Sequence, residues 1–411
     1  MGIHSSVMRA VLAIVLAGGL AFGAQAAESP WVPTWTTAIS PPGGGFGQAP
    51  AYEDVTLRQI VHTSVGGSAV RVQVSNIFGE QEVRLGGAAI ALQAQGAAIR
   101  DGSSRALTFS GQEGITVPPG ASVLSDPVDM EVPAFANLAV SLYFPEKTGP
   151  ANMHGTAIQT NYVSTPGNHV TAATLPVATE MTSSAFLSGV MVMAGDDART
   201  IVAFGDSITD GMGSTVSANH RWPDLLARRV AEEFGDKVAV VNEGISGNRV
   251  LHDVAGQNGI ARFERDALSW PNVSHVIVLL GINDIGFANL PAGRLPPGVD
   301  TSPVTAQEII AGHRQFIAKA HARGVKIIGA TLTPYRGAGT DSDAGEAIRQ
   351  AVNKWIRESG EYDGIIDFDA AVRDPANPAK LKPDFQSGDW IHPSDAGYEA
   401  MVKAIDLSLL K

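Results

Sequence analysis

Ser207 stands in the segment Ile201-Val-Ala-Phe-Gly-Asp-Ser-Ile-Thr-Asp-Gly211, where a short apolar run gives way to Gly-Asp-Ser. A hydroxyl at a strand end has rigid backbone behind it, and a helix that starts there aims free N–H groups at any negative charge developing beside it. That makes Ser207 a candidate nucleophile. Gly-Asp-Ser is equally an ordinary turn with an ordinary helix cap. A catalytic serine also needs a base and a group to orient that base. Asp389-Trp-Ile-His392-Pro393 offers both. An Asp three residues before a His can fold back so that its carboxylate meets one ring nitrogen and leaves the other facing Ser207. The same pair could instead cap a helix beginning near Ser394.

Two further segments supply the complementary chemistry. Val276-Ile-Val-Leu-Leu-Gly-Ile-Asn283-Asp284 is another buried-type strand ending in polar residues. The Asn283 amide donates hydrogen bonds without titrating, which suits a tetrahedral oxyanion better than acid–base work. Val240-Val-Asn-Glu-Gly-Ile-Ser-Gly247-Asn248 follows a third strand, and Gly247 could offer a backbone N–H to the same oxyanion with no side chain in the way. Each segment alone reads as a βα turn. Four in one order, three of them at strand ends, point to one site.

With these residues in place the chain resembles the GDSL hydrolases, or SGNH superfamily. Gly205-Asp206-Ser207 matches the first block with its nucleophile, Gly247 the second, Gly281-Ile-Asn283-Asp284 the third and Asp389-Trp-Ile-His392 the last. The resemblance spans roughly Arg199 to the C-terminus. It implies a serine esterase or lipase with a flavodoxin-like doubly wound parallel sheet, in which Ser207, Asp389 and His392 are catalytic and Ser207, Gly247 and Asn283 form the oxyanion hole. More loosely, the N-terminal part resembles the β-rich domain of secreted bacterial members associated with acetylated plant polysaccharides.

The elements that must position these residues fall into two regions, and 411 residues is more than one core usually serves. Residues 27–195 read as a β-rich accessory domain, a sandwich or jelly roll. Short β-type runs such as Val55 to His62, Ala69 to Val74 and Leu138 to Phe144 are broken there by Gly, Pro, Asn and Asp. Residues 196–411 read as the catalytic α/β domain. Strands at Ile201 to Phe204, Val238 to Val241, Val276 to Leu280, Val325 to Leu332 and Ile365 to Phe368 alternate with helices, which implies a parallel sheet covered on both faces. Thr305-Ala-Gln-Glu308 is a capping box opening a helix toward Arg323-Gly324, and a last helix is expected around Ser394 to Leu410. Loops at strand C-termini of such a sheet meet on one edge, the usual ligand crevice.

Residues 1–26 read as a cleaved signal peptide: Arg9 precedes an apolar stretch from Ala10 to about Ala24, followed by Ala24-Gln25-Ala26. The expectation is a secreted or periplasmic protein without stable membrane association. The absence of cysteine excludes disulfides, thiolate nucleophiles and Cys-ligated zinc. A net charge of −12 without a basic block argues against nucleic acid as partner. The ten histidines include no His-Glu-x-x-His, and His62, His154, His169 and His252 read as surface or hydrogen-bonded core residues. No metal and no cofactor are expected. Gly43 to Gly47 reads as a flexible loop, and Phe287 to Pro303, rich in Gly and Pro, as an irregular rim beside the site without the amphipathic pattern of an interfacial lid.

The missing lid pattern favours hydrolysis of short acyl esters, and the resemblance, with the expected export and the β-rich domain, implies acetyl first, on a small molecule or polysaccharide. The alternatives are a general arylesterase, lysophospholipase or thioesterase with a deeper apolar acyl pocket, and a protein acting mainly by binding carbohydrate. The chain does not encode an oligomeric state.

Overall fold

The computed structural model describes residues 30–42, 49–290 and 299–411. The expected signal peptide, the loop Gly43 to Gly47 and residues 291–298 of the Gly- and Pro-rich rim lie outside the described residues.

Beside two two-stranded sheets, the N-terminal region folds as two main antiparallel sheets. One aligns Trp31–Thr36, Leu187–Met193, Gly67–Ser75 and Ser122–Leu124, with Val128–Val132 also paired to Gly67–Ser75. The other has six strands, with Val55–His62 and Asn137–Phe144 at its centre. The alternation visible in the sequence explains the packing. Val70, Val72 and Val74 from the first sheet meet Leu57, Val61, Leu138, Val140 and Leu142 from the second in one apolar core. The expected sandwich is what the residues build.

From Arg199 the strands become parallel. We number them β1 (Arg199–Gly205), β2 (Val238–Gly244), β3 (Val273–Leu279), β4 (Lys326–Ala330) and β5 (Gly364–Ile366); their order across the sheet is 2-1-3-4-5, the flavodoxin-like order. The helices are α1 (Ser207–Asp210), α2 (Trp222–Phe234), α3 (Gly259–Phe263), α4 (Ile282–Gly286), α5 (Ala306–Ala322), α6 (Asp343–Glu358), α7 (Phe368–Val372) and α8 (Asp395–Lys403). Helices α2, α7 and α8 pack together, as do α3, α5 and α6. Phe204 of β1 meets Phe263 of α3 and Phe316 of α5 edge-on, the three ring centroids lying 4.9 to 5.7 Å apart. The expected capping box is present. The Thr305 N–H donates to Glu308 Oε2 at 2.8 Å, and the Glu308 N–H returns a bond to Thr305 Oγ1 at 3.3 Å.

Several boundaries differ from expectation, the strand expected at Ile365 to Phe368 ending at Ile366 among them, and two have a visible cause. The last helix stops at Lys403 rather than running to Leu410, because Asp406 caps a separate 3-10 turn, Leu407–Leu410, by accepting from the Ser408 N–H at 2.9 Å. Strand β4 ends at Ala330, not Leu332. The Leu332 N–H and C=O are taken by the Asn353 side chain of α6 at 2.7 and 2.8 Å, which lifts the chain out of the ladder.

The two regions are not strung apart. Strand Trp31–Thr36 lies against β2, the edge of the parallel sheet, and Ala239 of β2 completes the sandwich core. Polar contacts cross the same junction. Ser40 Oγ donates to the Ala255 carbonyl at 3.0 Å, and His154 pairs with Asp210 at 2.9 Å.

Candidate active site

Ser207 begins α1 directly beyond the end of β1. The turn is tight: a Cβ at Gly205 would sit 2.2 Å from Thr209 Oγ1 and 2.5 Å from the Leu279 carbonyl, so only glycine brings the strand into the helix here. Asp206 is the N-cap, its Oδ1 accepting from the Ile208 N–H at 3.0 Å. Its Oδ2 is buried without a partner among the described residues, and burial pushes Asp206 up to about 7.

The loop before α8 returns to this point. His392 Nε2 lies 2.8 Å from Ser207 Oγ, and His392 Nδ1 lies 2.5 Å from Asp389 Oδ2. The other carboxylate oxygen of Asp389 accepts from the Ile391 and His392 N–H groups at 3.0 and 2.9 Å. Trp390 takes a left-handed φ of 64°, which lets the chain turn back within three residues. Desolvation works against the Asp389 charge. The bonds and charge of His392, with the two backbone N–H groups, outweigh it and hold the carboxyl well below the usual range. An ionised carboxylate only accepts, so the imidazole proton sits on Nδ1 and Nε2 is left to accept from the serine hydroxyl.

The register places the remaining residues beyond the same sheet edge. Gly205 of β1 pairs with Gly244 of β2 and with Leu279 of β3, and Gly247 and Asn283 follow those ends. Asn283 Nδ2 donates to the Asn248 carbonyl at 3.0 Å, which leaves its second amide hydrogen available. Gly247 adopts φ 82°, and neither its N–H nor that of Ser207 makes a hydrogen bond within the described residues. Asp284, fully buried, accepts from the Val250 and Leu251 N–H groups at 2.7 and 3.0 Å, fastening the loop after Gly247 to the start of α4. Burial pushes it up to about 6 against those bonds and the Arg249 charge.

Sequence reasoning missed the brace beneath these loops. Arg262 of α3, wholly buried, donates from Nε to Asn248 Oδ1 at 2.9 Å and from its two terminal nitrogens to the Glu243 and Gly205 carbonyls, both at 2.9 Å. Its guanidinium carbon lies 4.0 Å from the centroid of the Phe204 ring. One side chain thus joins the C-terminal ends of β1 and β2 to the loop that carries Gly247 and Asn248. Nothing in the Arg262 neighbourhood of the sequence marks it. Asp210 accepts from the Ser246 N–H and hydroxyl at 2.9 and 2.7 Å, one residue before Gly247.

Such a site presents an aligned hydroxyl, imidazole and carboxylate beside two free backbone N–H groups and an amide. Among the described residues no cluster of His, Asp and Glu could hold a metal ion. Residues 203–400 match the GDSL-like Lipase/Acylhydrolase family, so the chain carries a domain of that family, a family of hydrolases acting on esters, and all five expected site residues fall within the match. Solved structures similar to this chain include a variant of an acetyl xylan esterase from Geobacillus stearothermophilus (22% identity, 52% of this chain and 94% of that one, TM-score 0.39). Another is a GDSL-like lipase from Bacteroides thetaiotaomicron (18%, 52% and 88%, TM-score 0.36). A third is an alpha/beta hydrolase enzyme from the metagenome of Lake Arreo (21%, 52% and 95%, TM-score 0.39). No curated protein matches.

Proposed function

We propose that the protein is a serine esterase that removes short acyl groups, acetyl first, from carbohydrate esters. The observation that carries this reading is the unbroken hydrogen-bonded line from Asp389 through His392 to Ser207. His392 Nε2 takes the Ser207 proton as Oγ attacks the ester carbonyl, and Asp389 stabilises the imidazolium that forms. The Ser207 and Gly247 N–H groups and the free Asn283 amide hydrogen stabilise the oxyanion. The intermediate collapses to an acyl-Ser207 ester as His392 protonates the leaving alcohol. Water, deprotonated by the same imidazole, then releases the acid and restores the serine.

The carbohydrate part of the proposal rests on the leader-like first 26 residues and on the β-rich region joined to the esterase; the former also supports a secreted or periplasmic location. A panel of p-nitrophenyl esters of rising chain length, run beside acetylated xylan, tests the reading. Rates should be highest for acetate and fall with chain length, with acetate released from the polymer. A maximum at long acyl chains, with no release from xylan, would replace it with a lysophospholipase or general lipase.

A further inference from the structure

His154 lies in the short strand Met153–His154 of the β-rich region and is buried at the junction with the parallel sheet. Its Nδ1 is 2.9 Å from the Ala38 carbonyl oxygen, and its Nε2 is 2.9 Å from Asp210 Oδ1 and 3.1 Å from the Thr156 carbonyl. With Asp210 ionised all three neighbours only accept, so both ring nitrogens carry hydrogen and the ring is an imidazolium. Burial alone would oppose that charge. The Asp210 carboxylate and the two carbonyls outweigh it and raise His154 above its ordinary value.

Asp210 has two loyalties on the catalytic side. Its N–H closes the turn of α1 by donating to the Asp206 carbonyl at 2.8 Å, around Ser207 itself. Its Oδ2 grips both the N–H and the hydroxyl of Ser246. The next peptide unit, between Ser246 and Gly247, carries the N–H assigned above to the oxyanion hole. Asp210 therefore couples the nucleophile's turn to the orientation of that N–H, and the partner of its other oxygen is the imidazolium from the β-rich region.

We propose that His154 is a positioning residue for the esterase reaction: it holds Asp210 so that Asp210 sets the Ser246–Gly247 peptide toward the acyl oxygen. The inference rests on the serine-esterase reading, and it makes the β-rich region a working part of the catalytic centre as well as a neighbour of it. An oxyanion donor moved out of place loses part of the roughly 10²- to 10³-fold that removing one costs, so a loss of about 10- to 100-fold in kcat is expected.

Two polar substitutions in the full chain separate this from simple attachment of one region to the other. His154→Gln puts an amide N–H where Nε2 was and retains the bond to Asp210. His154→Asn puts one where Nδ1 was, so it retains the Ala38 bond and loses Asp210. With p-nitrophenyl acetate, below the melting temperature of every variant, His154→Asn should lose about 10- to 100-fold in kcat with KM within about twofold, while His154→Gln recovers most of the loss. Equal kcat in the two folded variants, or a change confined to KM, overturns the proposal. Ser207→Ala run alongside tells the two failures apart: activity surviving in that variant refutes the serine-esterase reading itself.

Discussion

Arg262→Leu removes the brace beneath the site while leaving an apolar side chain against Phe204. The substitution strips hydrogen bonds from the carbonyls of Gly205 and Glu243 and from Asn248 Oδ1. Asp266 is not orphaned, because Arg265 still contacts both of its oxygens at 2.6 and 3.1 Å. A buried acceptor left without a donor costs about 1–3 kcal/mol; since the Gly205 carbonyl still accepts from the Ile245 N–H at 3.1 Å, loss of the three bonds, partly relieved by relaxation, gives about 2–4 kcal/mol. That is a large share of the ~5–15 kcal/mol that separates folded from unfolded protein. At about 2–4 °C per kcal/mol for a domain of this size, the melting temperature should fall by about 4–16 °C. Turnover should fall too, since Gly205 and Asn248 flank Ser207 and Gly247. Thermal unfolding followed by circular dichroism, beside p-nitrophenyl acetate kinetics at a temperature where the variant is folded, reads both. Arg262→Lys, which can satisfy one acceptor but not three, should fall between. A melting temperature within about 2 °C of wild type and unchanged kcat in Arg262→Leu would refute the brace.

Asn283→Ala should lower kcat by about 10²- to 10³-fold with little change in KM, the loss expected of one oxyanion donor; an effect confined to KM would make it a substrate-binding residue. Gly205→Ala should destabilise the fold and depress kcat together, because the new Cβ meets Thr209 and the Leu279 carbonyl well inside contact distance; unchanged kinetics and melting would mean that the turn can open. Stability should rise as pH falls from about 8 to 6.5. Asp206, pushed up to about 7, keeps its proton in the fold where the unfolded chain has lost it, so stability declines as pH rises through that window, by about 1 kcal/mol. Buried Glu243, raised well above its usual value, acts with the same sign. Further acidification is opposed by His275 and His313, each pushed down to about 4 by burial, which take up protons more readily when unfolded. A melting temperature that climbs steadily from pH about 6.5 to 8 would contradict these burial effects.

The chemistry-bearing residues were legible because each stands at a strand end or in a turn whose composition has few other uses. Ser207, Gly247 and Asn283 follow apolar runs, and the Asp389–His392 spacing dictates the folded-back contact. The parallel sheet announced itself through the same apolar runs, and the capping box at Thr305 fixed the start of α5 to the residue. What was not legible depends on distance along the chain. Arg262 acts on Gly205 and Glu243, separated from it by 57 and 19 residues, and its own neighbourhood is an unremarkable short helix. His154 meets Asp210 only because Trp31–Thr36 lies against β2, a pairing no local pattern encodes. The ends of β4 and α8 were misplaced because side chains from elsewhere, Asn353 for β4, and a capping Asp406 for α8, decide where the backbone leaves its ladder.

The central claim is that Ser207 carries the acyl group. Acid-quenching the enzyme during turnover of p-nitrophenyl acetate and mapping the peptides by mass spectrometry tests it directly. A single acetyl group on the Ser207 peptide, formed in step with a burst of p-nitrophenol and absent from folded Ser207→Ala, is the predicted result. Acetyl on a different residue, or steady turnover by folded Ser207→Ala, would contradict it.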